Sequence, residues 1–339
     1  MSCDFSCILE YCFIVYWLVS VPFYCIFLYI LIKYRKHDVL GSSFFRLSIS
    51  VGVADLCQMV QVVISIKWVI WGTFRNFYLN HGAVLSRFIV GQWTFLWVQQ
   101  FGLIALTFNR LTAFVWPMRH DLIWTPKMMV GVVAVQWLVP IAGHVRYLLL
   151  DSWVMVPYGN NVSLMAYCSS AEDMGELINY FGIAATSNIV RLIYHSTCYV
   201  IIFAIVFRHN RTVGAHVNNN RLTDRVEIKL SAAALLLVFI ELISFVHNLV
   251  AQHLLTLDSD LLSVGFRAAV INDINSGINP FVMLLLCEKV REHFKKVFCR
   301  EENQNAVKNI NVKSANDSNT KSAKSAGNNT QPPNITGQK

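Results

Sequence analysis

The sequence predicts an all-α integral membrane bundle of seven helices, and three observations carry that prediction: composition, the lengths of the apolar runs, and the sides on which charge falls. Of 339 residues, 55% are hydrophobic and only 14% charged, with a mean hydropathy of +0.46, the balance of a polytopic membrane protein. Apolar runs cover 11–32, 44–70, 84–115, 128–149, 184–207, 230–255 and 263–286. Each is about 20 residues or somewhat longer, enough to cross the hydrocarbon as a helix. Lys33, Arg35, Lys36, Arg119, Lys127, Arg208, Arg211, Arg221, Arg225 and the tail from Lys289 fall on one side of these runs, whereas Asp4, Glu10, Asp151, Glu172, Asp173, Glu176, Asp258 and Asp260 fall on the other. The positive-inside rule then puts the N-terminus outside. It also assigns the net charge of +8 to inner loops beside anionic lipid rather than to a nucleic-acid surface.

The first run carries no charge, is followed at once by Lys33, and lacks the basic n-region and small-residue cleavage site of a removable signal. It is therefore expected to stay as a helix, with 1–10 as an extracellular N-terminus. The second run contains Ala54-Asp55-Leu56, a carboxylate near mid-membrane and so a functional-site candidate. The third run ends in Thr107-Phe108-Asn109-Arg110-Leu111, with Pro117 seven residues past the arginine. An arginine at the end of a long apolar segment is costly to keep; snorkelling to the headgroups is the competing reading. On the fifth run Asn188, Arg191 and His195 fall at i, i+3 and i+7, and on the sixth Glu241, Ser244, Asn248 and Gln252 at i, i+3, i+7 and i+11. Each set makes one polar stripe, expected to turn inward because lipid offers it no partner. The seventh run holds Asn275, Ser276 and Asn279-Pro280, a proline that bends a helix and frees backbone carbonyls.

After it, 288–299 places Val290, Phe294, Val297 and Phe298 on one face with cations opposite, an interfacial amphipathic helix. Cys299 is a palmitoylation candidate with an ordinary free thiol as the alternative. The receptor-like region is thus 11–300, and 301–339, rich in Asn, Ser, Lys and Thr, is expected to be a disordered cytoplasmic tail. Asn161-Val162-Ser163 is the sequon on the outer side and hence the expected glycosylation site; those at Asn210, Asn316, Asn328 and Asn334 lie inside. Of nine cysteines, Cys3, Cys7, Cys12 and Cys168 lie on or near the oxidising face, in pairings left open; Cys25, Cys57, Cys198 and Cys287 read as small apolar packing residues.

Taken together, Ala54-Asp55, Asn109-Arg110 with Pro117, Trp137, Asn279-Pro280 and the short basic helix resemble a rhodopsin-like G-protein-coupled receptor over roughly 11–300. The stretch from Leu106 to His120 with Ile123-Trp124 is similar to the nematode serpentine chemoreceptors of the gamma-like and V-like classes. The resemblance implies that Asn109, Arg110, Asn279 and Pro280 form the switch that meets a heterotrimeric G protein. It also implies that Asp55 anchors a polar network with Gln99, Asn275 and Ser276; Gln99 departs from the family, which usually has a smaller hydroxyl there, and its amide is expected to take the place of a sodium ion. Hydroxyls of the tail, such as Ser314 and Thr320, would accept phosphate from a receptor kinase and engage arrestin. The expected location is the plasma membrane, the sensory cilium included. The departures are specific: the first run lacks asparagine, the fifth and sixth lack proline, Met283 replaces the tyrosine of Asn-Pro-x-x-Tyr, and Leu85 stands near the place of the cysteine that usually pairs with the one at Cys168. Gln92 stands where amine receptors hold an aspartate, which argues against a biogenic amine.

Counting at 1.5 Å per residue puts Gln92, Arg146, Arg191 and Asn248 roughly 25–30 Å above the inner boundary, with Arg267 near the outer end of the seventh run. The sequence therefore suggests an outer cavity formed by Gln92, Trp93, Arg146, Arg191, His195, Glu241, Asn248 and Arg267, suited to a small amphipathic anion. Structural pairing, Arg191 with Glu241 for example, is the alternative. No lysine lies between 261 and 287 for a retinal, and no His-Glu-x-x-His is present. Neither enzymatic chemistry, nor a metal, nor another cofactor is expected. A seven-span ligand-gated channel or transporter is the competing class, with Asp55, Glu241 and Asp273 as pore-lining groups.

Overall fold

The computed structural model describes residues 5–36, 39–149, 153–158, 163–168, 171–213 and 273–298, with isolated helical positions at 235, 239, 242, 243 and 246. Helix α1 runs Phe5–Lys33. Helix α2, Ser43–Val62, continues through a π-helical turn at Val63–Lys67 into α3, Trp68–Ile70. A short α4, Arg75–Asn80, leads into the long α5, Gly82–Val115. After a 3₁₀ turn at Pro117–Arg119 come α6, His120–Ile123, and α7, Pro126–His144, which ends in a second 3₁₀ stretch, Val145–Leu149. Helix α8 is Ala171–Val213, α9 is Asn279–Leu286 and α10 is Glu288–Phe298. Five of these helices contain apolar stretches long enough to cross a bilayer, at Ile14–Lys33, Ser43–Lys67, Arg87–Val115, Pro126–Leu148 and Gly182–Arg208. The chain divides into a unit through Arg291 and another from Glu292.

Local chemistry explains the element ends. Thr125 caps α7, its Oγ1 accepting from the Met128 amide at 3.3 Å, and Pro126 occupies the first helical turn where its missing N–H costs nothing. Pro117 stops α5, with Trp116 held in a non-helical conformation before it. Helix α8 begins at Ala171, well before the apolar run that the sequence marks from 184. Hydropathy reports only the part that lies in lipid.

The expected helical membrane bundle is what the structure shows, with one addition: among the described residues two short strands occur. Strand β1, Trp153–Tyr158, pairs antiparallel with β2, Ser163–Cys168, in the register Trp153↔Cys168 to Tyr158↔Ser163. The β-branched valines at 154 and 156 suit a strand. The bundle itself is helical throughout its described part. Among the described residues Cys12, Cys25, Cys57, Cys198 and Cys287 are free thiols.

The largest apolar cluster joins α1, α2, α5, α7 and α9 through Tyr24, Phe27, Phe44, Val51, Leu106, Met129, Val282 and Met283. Phe23 of α1 and Phe281 of α9 stack with centroids 4.3 Å apart. On the outward faces the pattern inverts, and Val15, Leu18, Val130, Leu138, Val190 and Val200 are more than half exposed, as expected where the solvent is lipid. Close helix approach depends on missing side chains. A Cβ on Gly52 would sit 2.7 Å from Leu28 Cδ2 and 2.9 Å from Tyr24 Cε1, so α1 and α2 meet only because position 52 is bare. Gly52→Val is expected to lower stability by about 1–3 kcal/mol, read as a lower unfolding temperature of the purified receptor; an unchanged value would show that α1 moves aside freely.

Of the positions singled out from sequence, Asn161, Glu241, Asn248, Arg267, Cys299 and the tail from 301 lie outside the described residues. The sixth run is represented by Leu235, Phe239, Leu242, Ile243 and Val246, all helical.

Candidate functional site

Three polar layers and one large cavity stand out, and α5 passes through all of them. The innermost lies where α5 meets α2. Asn109, 1% exposed, donates from Nδ2 to Ser43 Oγ at 2.7 Å. Arg110, also buried, lays its guanidinium over the Phe44 ring, Cζ to centroid 3.7 Å, a cation–π contact strengthened by exclusion of water. Thr112 ties the following loop to this layer: its Oγ1 accepts from Trp124 Nε1 at 2.8 Å and contacts His120 Nδ1 at 3.2 Å, while His120 Nε2 lies 3.3 Å from Ser43 Oγ. The sequence marks Asn109 and Arg110; Ser43 and Phe44, on another helix, carry no signal of their own.

At mid-membrane Asp55 accepts from Gln99 Nε2 at 2.7 Å and from the Tyr24 hydroxyl. The same Gln99 Nε2 reaches Ser276 Oγ at 3.0 Å, and Asn279 Nδ2 donates to Tyr24 Oη at 3.3 Å. Four spans thus share one network: Asp55, Gln99 and Ser276, which the family resemblance groups together, are joined, whereas the half-buried Asn275 is not bonded to any of them. Tyr24 supplies from α1 a partner that the lack of asparagine there hides. Pro280 starts α9 just after a bend at Ile278, so the break falls at the network rather than beside it.

Nearer the outer side, Lys67 forms a salt bridge with Asp273, their side chains 3% and 0% exposed. Lys67 closes the π-helical turn Val63–Lys67. Such turns carry an i→i+5 hydrogen bond and recur at functional positions; here the turn presents a lysine to Asp273, inside the seventh apolar run. Its sequence signal is a charge deep in the apolar run 44–70, which also holds Arg46 and Asp55, and such a charge is a functional-site hypothesis by default.

The expected ligand residues divide among different neighbours. Gln92 is turned toward α2, its Oε1 accepting from Ser65 Oγ at 2.7 Å. Trp93 stacks on Tyr180 at 4.8 Å. His195 is buried against α5, with Nδ1 2.8 Å from Thr107 Oγ1, and Asn188 accepts from Gln100 Nε2 at 3.3 Å, so the polar stripe of α8 faces α5. Arg146 and Arg191 come together at a cavity of about 1190 Å³ between α5, α8 and the end of the fourth span. Trp97, Gln100, Phe101 and Tyr194 line it with them. No carboxylate occurs among its described lining residues. Beside it, Tyr180 accepts from Trp97 Nε1 at 3.1 Å and lies 3.2 Å from His144 Nε2. Among the described residues no group of three or more His, Cys, Asp or Glu is placed to hold a metal.

Comparison with known proteins agrees with this architecture. Serpentine receptor class V-1 of Caenorhabditis elegans is 31% identical over 140 residues, which span 41% of this chain and 45% of that protein. The chain thus matches less than half of that relative's length. A family model described as the serpentine type 7TM GPCR chemoreceptor Srv matches residues 13–299. That is nearly the whole extent over which apolar helices and polar layers have been followed, and of the two nematode classes the motifs resemble it is the V class. The chain is a multi-pass membrane protein that belongs to the Srv family of serpentine chemoreceptors, a receptor family rather than an enzyme family.

Proposed function

We propose that the protein is a plasma-membrane chemosensory receptor, sited in the sensory cilium where the cell has one. It binds a small amphipathic anion in the cavity flanked by Arg146 and Arg191 and passes occupancy to a heterotrimeric G protein at Asn109 and Arg110. The observation that carries this reading is that one helix serves both ends: α5 supplies Trp97, Gln100 and Phe101 to the cavity and Asn109 and Arg110 to the inner layer. A ligand that favours one packing of α5 against α8 shifts the equilibrium of the inner layer by its difference in affinity between the two packings. The mid-membrane network at Asp55, Gln99, Ser276 and Asn279 lies between them and couples α5 to the seventh span. Hydroxyls of the tail serve a receptor kinase and arrestin.

A ligand screen in cells expressing the receptor, with calcium and cyclic-nucleotide readouts, tests the reading. The expected agonist is anionic, and Arg191→Ala should raise its half-maximal concentration at least about tenfold, the effect of losing some 1.4 kcal/mol, at unchanged surface level. Ligand-evoked current that survives blockade of G-protein signalling would instead identify a channel. Unaltered potency in the Arg191→Ala receptor would make that arginine structural.

A further inference from the structure

Helix α4, Arg75–Asn80, joins the outer ends of the second and third spans, and the residues along it sort into three sectors. Tyr78, 2% exposed, faces the bundle, where it packs with Val69 and the partly buried Trp68, Leu79, Phe88 and Ile89. Asn76 and Asn80 are exposed on a polar flank. Between these sectors Phe74, Phe77 and His81, spaced i, i+3 and i+7, form one exposed aromatic stripe. Phe74 and Phe77 keep 60% and 45% of their surface open even with the hairpin β1–β2 in place, and the His81 ring stacks on Phe77 with centroids 4.8 Å apart.

Two sets of contacts fix the depth of this stripe. The Tyr78 hydroxyl donates to the Ile64 carbonyl at 3.1 Å, and Ile64 lies in the π-helical turn inside the apolar stretch Ser43–Lys67. Phe88 and Ile89, packed on the same cluster, lie inside the next stretch, Arg87–Val115. Helix α4 is therefore folded down beside the last turns of two spans, at the level where acyl chains give way to headgroups. Its outer side continues a surface that already faces lipid. Val53 and Val60 are 39% and 45% exposed on α2, and Trp68, reached from Val60 through one ordinary turn and one widened π turn, returns to the same side. Trp68 in turn meets Phe74 edge to face, centroids 5.2 Å apart. Phe74 is strained: among the described residues it alone combines a side chain with a positive φ, 57°, in the left-handed region that bulky residues rarely adopt. Strain of that kind marks a position whose placement is used, and an open phenylalanine gains nothing from water.

We propose that α4 is an interfacial helix of the outer leaflet, with Phe74 and Phe77 sunk among the glycerol and upper acyl groups of phospholipid and with Asn76 and Asn80 turned to water. Its partner is the lipid surface itself. Aromatic rings favour that layer, and a helix with one apolar stripe beside a polar flank lies in its plane. A single short helix does not hold by itself; the Tyr78 bond to the second span supplies the tie, and the stripe supplies the lipid contact.

The test uses the full-length receptor in phosphatidylcholine nanodiscs, with a photoreactive benzophenone at one position at a time: Phe77→p-benzoylphenylalanine on the stripe and Asn76→p-benzoylphenylalanine on the polar flank. Both leave Tyr78 and its bond to Ile64 untouched, and both are expected to melt with the wild type. After irradiation, mass spectrometry of the α4 peptide reads what each position touches. Phosphatidylcholine adducts should form several times more often at position 77 than at position 76. His81→p-benzoylphenylalanine, on the same stripe, gives an independent reading that should agree with position 77 and that serves alone if the first substitution lowers the melting temperature. Equal lipid adducts on stripe and flank, or none on either, would overturn the interfacial placement. Crosslinks from the stripe to another receptor chain in place of lipid would make the occupant a second copy and overturn the lipid assignment. Crosslinks within the same chain would make the stripe a packing face and overturn it equally.

Discussion

Replacing Lys67 by methionine is expected to remove most of the receptor from the cell surface. The substitution leaves Asp273, whose side chain is 0% exposed, without its only described charge partner, and its Oδ1 already has no hydrogen-bond partner in the described structure. Breaking one side of a buried ion pair costs about 3–5 kcal/mol. Protonation of the orphaned carboxyl caps the loss: at 1.36 kcal/mol per pH unit, neutralising an ordinary aspartate at pH 7 costs about 4 kcal/mol. Set against a typical total stability of about 5–15 kcal/mol, that is enough to change abundance severalfold. Replacing both members, Lys67→Met with Asp273→Leu, should restore surface level, because an apolar pair of similar volume often matches a buried ion pair in stability. Antibody counts of surface receptor on intact cells, together with melting temperatures of purified protein, separate the cases. A single variant as abundant and as stable as wild type would show that water reaches the pair.

Loss of signalling with the receptor still at the surface is the expected result for Arg110→Ala. The guanidinium contributes a cation–π contact to Phe44 worth about 0.5–2 kcal/mol, a loss the fold should tolerate, whereas a G protein that reads this charge loses its main contact. Full signalling by the variant would return Arg110 to a snorkelling role. The neighbouring position tests the inactive state. Asn109 donates to Ser43; an aspartate there would accept from the serine hydroxyl and add a negative charge beside the arginine. Asn109→Asp is therefore expected to lower basal signalling, within about 1–3 kcal/mol of bias, measured as ligand-free second messenger per surface receptor. A basal signal that is unchanged or higher would count against this account of the inner layer.

Much of the architecture follows from the sequence through one strong constraint. Backbone amides in hydrocarbon have no water to bond, so a run such as 11–32 or 128–149 must become a helix, and basic residues at its end orient it. Stops are equally local: Pro117 ends α5, and Thr125-Pro126 starts α7. Asp55 was legible as a carboxylate that lipid would leave unsatisfied, whereas its grouping with Gln99 and Ser276 came from the family resemblance. The hairpin Trp153–Cys168 was not legible, because strands outside the bilayer are shaped by pairing and turn chemistry that hydropathy does not report.

Which neighbour each helix face meets was decided only in the tertiary structure. Gln92 and Arg191 stand at similar depths by residue count, yet Gln92 bonds to Ser65 of the second span while Arg191 lines the cavity on the far side of α5. Spacing along a helix states which residues share a stripe, but the rotation of that stripe relative to its neighbours depends on every helix packed around it. The π turn at Val63–Lys67 inserts such a rotation partway along a single span. Lys67 meets Asp273, 206 positions later, Tyr24 meets Asp55, and Arg110 meets Phe44 for the same reason: each partner is an ordinary side chain on a distant segment, and only the packing of the bundle brings the two within reach.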